Sequence, residues 1–247
     1  MKFRDIAEPA VLFLLLALLW EKAVELFDIK PYLLPPLSKV LQTFWSNRDM
    51  LLQQSLVTLW EVLGGFFWAV VGGIALGLVI FASPVIRRTV YPAIVLFQGL
   101  PKVALAPILV IWFGYGLASK VLMAFLFAFF PVVIGTLGGL AGTPEHLLEH
   151  FRAIRASSMT TFLRLRIPSA LPSIMDGCKT AMPLAVIGAI VGEFVGAEQG
   201  LGHLLLAANA NARSDLMFAA LIAIAILSGV LYVIVELAAK RVWWRAL

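Results

Sequence analysis

Five ionisable side chains stand inside long apolar stretches of this chain: Glu61, Lys102, Asp176, Lys179 and Glu193. A charge in hydrocarbon is costly, so such a residue faces water, a protein cavity or a partner of opposite sign. Lys102 lies between Pro101 and Pro107, with Gln98 one helical turn before it. It is expected to line a solute path, or to pair with a carbonyl or with Glu61. Glu193, near the end of its segment, is expected to line the path as a gate, to pair, or to reach the interface by snorkelling. Asp176 and Lys179 stand three apart, which puts both on one helix face, and they should neutralise each other. Catalysis fits poorly. A membrane-embedded protease or lipid transferase needs paired ionisable or nucleophilic groups at matching depth. Of the acids, only Asp176 and Glu193 share a segment, and they are seventeen residues apart. One cysteine, Cys178, excludes an internal disulfide, and no Cys/His cluster has metal-ligand spacing. His146 and His150 flank Glu149 at i and i+4, an arrangement expected on an open helical face rather than around zinc. No G-x-x-x-x-G-K-[ST] phosphate loop occurs, so the chain is not itself an ATPase.

The other concentration of charge is the stretch EHFRAIRASSMTTFLRLRIPSALP, residues 149–172, with Arg152, Arg155, Arg164 and Arg166. It is polar yet interleaved with Ala, Ile, Met, Phe and Leu, a composition suited to an ordered loop that docks on a soluble partner. An ordinary solvated loop is the alternative from charge alone. Thr143-Pro144-Glu145 offers a capping residue, a proline for the first helical position and an early acid. A helix from Glu145 to about Ala153 should follow. Ser157-Ser158 should break or cap it, and a second helix should run through Thr161-Phe162-Leu163 to Ile167-Pro168. A helical loop of this kind can push on the elements at both its ends.

The surrounding elements must be membrane spans. The chain has 247 residues, 62% of them hydrophobic and 13% charged, with a mean hydropathy of +0.97. A soluble domain of this size cannot hide that much apolar side chain. The pI near 9.6 then reflects basic loops rather than nucleic-acid binding. Six apolar segments, each near the ~20 residues a spanning helix needs, are expected at about 9–27, 55–82, 89–113, 121–142, 168–195 and 216–239. The third is interrupted by Pro92, Pro101 and Pro107. The first runs into WEKAVELF without a cleavage site, so it is kept as a helix rather than a signal peptide. The glycines at 64, 65, 72, 73 and 77 are expected at helix-packing positions.

Placing the N-terminus inside puts Lys2, Arg4, Arg87, Arg88, Arg152, Arg155, Arg164, Arg166, Lys240, Arg241 and Arg245 on the cytoplasmic side. Only Lys22, Lys30, Lys39, Arg48, Lys120 and Arg213 fall outside. Basic residues favour the cytoplasm, so both termini are expected there. Trp112-Phe113 and Trp243-Trp244 close their segments as interfacial rings. Between the first two spans, Pro35-Pro36 stop any helix and Ser38 can cap a short amphipathic one at the outer surface. No linker or internal repeat is evident, so 1–247 reads as one domain.

LLEHFRAIRASSMTTFLRLRIPSALPSI resembles the EAA loop of binding-protein-dependent ABC importer permeases. It matches at Glu149, Ala156, Ser157, Phe162, Pro168 and Ala170-Leu171-Pro172. It departs at His150 and Phe151, where the pattern has alanines, and at Arg155, where it has glycine. YLLPPLSKVL, ALAPILVIWFGYGLASK, FFPVVIGT, GEFVGAEQGLGHLL and Arg213-Ser214-Asp215 are similar, in order, to the nitrate/sulfonate/taurine branch. The resemblance implies an all-α membrane protein of about six transmembrane helices, with the type I ABC importer permease (MetI-like) fold. It implies a coupling helix within the loop 143–167, in which Glu149, Ala153, Arg155, Ala156, Ser157 and Phe162 meet an ATPase. It implies a second permease subunit, expected as a homodimer, two ATPase subunits that bind the ATP and magnesium, and a solute-binding protein. The cargo would be a small anion such as a sulfonate, taurine, nitrate or bicarbonate, or else a pyrimidine or vitamin precursor. A stand-alone channel or secondary transporter is the remote alternative. If the family glycine has positive φ, Arg155 is strained.

Overall fold

Small residues along three long helices let their backbones meet, and that contact builds the core. A computed structural model describes residues 3–246; Lys2 lies outside them, as do the side chains of Arg4, Trp243, Trp244 and Arg245. Helix α3 (Arg48–Ala82) and helix α9 (Ile167–Gly196) both pack on α6 (Leu117–Ala141). A Cβ on Gly65 of α3 would stand 2.8 Å from the Phe125 nitrogen of α6. One on Gly188 of α9 would stand 2.6 Å from the Met123 oxygen. In lipid the hydrophobic effect does not drive helices together, so close van der Waals contact must.

Among the described residues, four helical runs are long and apolar enough to cross a membrane: Arg48–Ala82, Leu117–Ala141, Ser158–Gly196 and Ser214–Arg241, the last being most of α11 (Ser214–Ala246). A fifth is the bent pair α4 (Pro84–Gln98) and Lys102–Phe113, which turns by 91°. Pro92 lies inside α4 and does not stop it. The break falls at Gly99–Pro101, because proline disfavours the α conformation in the residue before it. Lys102–Leu105 forms a 3₁₀ turn, and Pro107 sits in the first turn of α5 (Ala106–Phe113), where a missing N–H matters least.

The remaining expected segment, the first, falls in α1 (Phe3–Leu26). Its uncharged run, residues 9–20, is 12 residues long, and Trp20 ties it to the rest by donating to the Pro35 carbonyl at 3.1 Å. The short helix α2 (Leu37–Ser46) forms as expected, but Ser38 does not cap it. Instead Glu21 of α1 accepts from the Ser38 nitrogen at 3.0 Å and its hydroxyl at 2.7 Å. A carboxylate is favoured at this positive helix end.

In the loop, α7 runs Glu145–Ala153. Thr143 does not cap it; its hydroxyl donates back to the Leu140 carbonyl at 3.2 Å. The second loop helix is not separate. α8 (Ser158–Thr161) and a π-helical turn (Phe162–Arg166) lead directly into α9, so the fifth span starts about ten residues earlier than expected. The last connection carries a short apolar helix, α10 (Leu201–Ala210).

Candidate functional site

The loop is built to hold α7 rigidly. Ala156 N donates to Phe151 O at 3.0 Å and Arg155 N to Arg152 O at 2.9 Å. These two bonds form the Schellman closure of a helix, which puts the residue after the cap in the left-handed region. That residue is Arg155, at φ +52°, so the arginine occupies a conformation that glycine adopts without steric cost. Ser157 then caps the next helix, its hydroxyl accepting from Thr160 N at 3.1 Å. The expected coupling segment within 143–167 is therefore two helices with a tight turn between them, as the break expected at Ser157-Ser158 implied. Glu149, Ala153, Arg155 and Ser157 are exposed, while Ala156 and Phe162 are half-buried.

The base of the loop is fastened to the spans. Phe162 stacks on Phe81 of α3 with ring centroids 6.3 Å apart, and the Arg166 guanidinium lies over the Phe81 ring, 5.0 Å from its centroid. Arg166 also donates to the Leu140 carbonyl at 3.1 Å, sharing with Thr143 an acceptor at the end of α6. Beyond this anchor, Ile154, Met159 and Leu163 are 60%, 65% and 54% exposed. A rigid basic loop with an uncovered apolar ridge can transmit force to whatever sits on it.

The residues expected to line a path are not brought together. Glu193 is 1% exposed and does not snorkel. Its carboxylate accepts from Thr58 Oγ1 at 2.6 Å and from Gly202 N, while Thr58 Oγ1 accepts from Leu201 N at 2.9 Å. Glu193 and Thr58 thus cap the start of α10, aided by Gln54, which accepts from Gly200 N. A Cβ on Gly200, at φ +109°, would fall inside the Glu193 carboxylate. Glu61, 2% exposed, lies close to Glu193, whereas Lys102 has other neighbours. Lys102 instead sits over Phe130 and Phe127, at 4.9 and 5.5 Å from the ring centroids. Its cation is held by aromatic faces.

Gln98 does line a groove. It shares about 450 Å³ with Ser173, Asp176 and Thr180 of α9 and with Pro131, Ile134 and Gly135 of α6. Asp176 pairs with Lys179 at 2.9 Å, as their spacing implied, yet the Asp176 side chain is 69% exposed. Ser173, Asp176 and Thr180 recur at i, i+3 and i+7, so the polar face was present in the sequence. It went unread because the Asp176–Lys179 pair explained the charge locally. The capping roles of Thr58 and Gln54 had no signal beyond ordinary polar residues in a span.

A broken span, a polar groove at mid-span and a clamped, partner-sized loop define a transport permease. Residues 55–244 match the family described as binding-protein-dependent transport system inner membrane component, and the chain belongs to that family. It is 35% identical over 99% of both chains to a probable ABC transporter permease protein of Haemophilus influenzae. It is 41% identical to the formylaminopyrimidine transport permease protein ThiX of Halalkalibacterium halodurans, over 79% of this chain and 78% of that one. The fold matches the MetNI methionine ABC transporter in an inward-facing conformation, with a TM-score of 0.69 at 21% identity, over 80% of this chain and 98% of that one.

Proposed function

We propose that this chain is the membrane-spanning subunit of an ATP-driven importer and pairs with a second copy of itself in a bacterial cytoplasmic membrane. Both termini lie in the cytoplasm. Two separate ATPase subunits bind ATP and magnesium and dock on the 143–167 loops, and a soluble or lipid-anchored binding protein delivers a small solute from outside. The observation that carries this reading is the clamped loop, in which Ile154, Met159 and Leu163 stand uncovered while Phe162 and Arg166 grip the ends of α3 and α6. A stand-alone channel has no use for such a ridge. ATPase closure would move α7 as a rigid lever, and the clamp would pass that motion to the spans.

The solute passes along the groove of Gln98, Ser173, Asp176 and Thr180 rather than past Lys102 or Glu193. The small anion expected from the sulfonate and taurine branch is one cargo. The formylaminopyrimidine relative supports the other, a pyrimidine or vitamin precursor. Affinity purification of the chain with its ATPase subunit tests the docking reading. Ala153→Pro and Glu149→Lys should each release the ATPase while leaving the permease in the membrane, since proline in a helix costs about 3 kcal/mol or more. Normal co-purification and normal uptake in both variants would remove the coupling role.

A further inference from the structure

Asp176 stands at the middle of the 39-residue run Ser158–Gly196, with its side chain 69% exposed. A carboxylate so placed cannot face acyl chains, because ionisable groups at membrane depth turn to water or protein. Irregular backbone at such depth obeys the same constraint, and the α4–α5 break beside Gln98 opens on this side. The groove is therefore hydrated or covered by protein, and its polar rim is a cargo surface on the reading given above. Its polar side chains are Gln98, Ser173, Asp176 and Thr180, with no basic side chain among them. Lys179 neutralises Asp176 from behind: it is only 29% exposed, and it also interacts with Tyr232 and Glu236 of α11. The negative end of the ion pair faces the groove and the positive end faces α11. Lys102, the other cation at this level of the sequence, is engaged by the Phe127 and Phe130 rings.

We infer that the groove selects small solutes that present N–H donors or positive charge, and that it disfavours anions. The free lone pairs of the Asp176 carboxylate and the Gln98 carbonyl accept hydrogen bonds from an uncharged aminated heterocycle or an organic cation. A sulfonate or nitrate meets the carboxylate first, because its compensating cation, Lys179, lies on the side toward α11 and not among the groove residues. A volume near 450 Å³ suits a metabolite-sized ligand. The inference rests on the groove being the solute path, and the test separates the two.

The chain is reconstituted with its ATPase partner in proteoliposomes, carrying Cys178→Ala and a single new cysteine, Thr180→Cys or Ser173→Cys. Reaction rates are measured with three methanethiosulfonates: a trimethylammonium reagent, a sulfonate reagent of similar size, and the neutral, membrane-permeant methyl reagent. With each rate divided by that reagent's rate on a free thiol in solution, where the negative thiolate already favours the cation, the cationic reagent should react about tenfold faster than the anionic one at both positions, as expected where one sign of charge sets the local potential. Asp176→Asn, which leaves Lys179 without its partner, should abolish or reverse that preference. Equal rates, or a faster anionic reagent, would overturn the inference and leave the path in place. Reaction with the neutral reagent alone would show a face without water and remove the path assignment itself. If Asp176→Asn does not assemble, the comparison at positions 173 and 180 in the otherwise native groove still decides the sign.

Discussion

Arg155 is the residue at which local geometry and function disagree. A left-handed residue with a Cβ costs roughly 1–2 kcal/mol relative to glycine, yet the turn holds an exposed arginine at φ +52°. Among the described residues its guanidinium makes no hydrogen bond, so nothing inside the chain repays the strain. Arg155→Gly should raise thermal stability slightly while weakening recovery of the ATPase. Unchanged recovery would mean that the arginine is merely tolerated. Glu193 is the opposite case, a buried acid whose two oxygens are both committed to neighbours. Glu193→Ala strands Gly202 N, and an unsatisfied buried polar group costs about 1–3 kcal/mol. Its unfolding temperature in detergent should fall. Gly200→Ala should fall with it, because the new methyl group meets the same carboxylate. A Glu193→Ala variant that is stable but transport-dead would instead favour a gate.

At the scale of elements, the α6–α9 contact is close enough that size alone decides it. Gly188 faces the Met123 carbonyl at backbone distance, so Gly188→Val must separate the helices or distort one of them. Overpacking typically costs about 1–3 kcal/mol, and more is expected here because the obstacle is backbone. Reduced membrane expression and a broadened size-exclusion peak are the expected readouts; a monodisperse protein of native stability would contradict the packing described. The clamp behaves differently. Phe81→Ala removes the surface on which Phe162 and Arg166 rest, so ATP hydrolysis should persist while uptake per ATP falls.

For the whole molecule, the proposed orientation, with the more basic side inward, puts the loop in the cytoplasm and α10 outside. In a Cys178→Ala background, an impermeant thiol reagent added to intact cells should label Asn209→Cys, which is exposed on α10, and not Arg155→Cys. Labelling at 155 from outside would invert the topology and detach the loop from any cytoplasmic ATPase.

Apolar runs long enough to cross a bilayer, the charged loop between them and the ordered EAA-like residues determined the fold class and the kind of machine from sequence alone. These signals are local: hydropathy, helix stops and charge are each written in a window of about 20 residues. The α7 boundaries and the Asp176–Lys179 pair were legible for the same reason, since helix period fixes what lies three or four residues away. The partners of Lys102, Glu61 and Glu193 were not. Each contact spans different helices, 135 residues apart for Thr58 and Glu193, and a sequence carries no record of which faces meet. Only the packed structure decided that Glu193 caps a helix, that Lys102 rests on aromatic rings, and that the exposed charge at mid-membrane is Asp176. In hydrocarbon every polar group must find its partner inside the protein, so which polar groups are buried and which stay exposed depends on helices meeting across the fold.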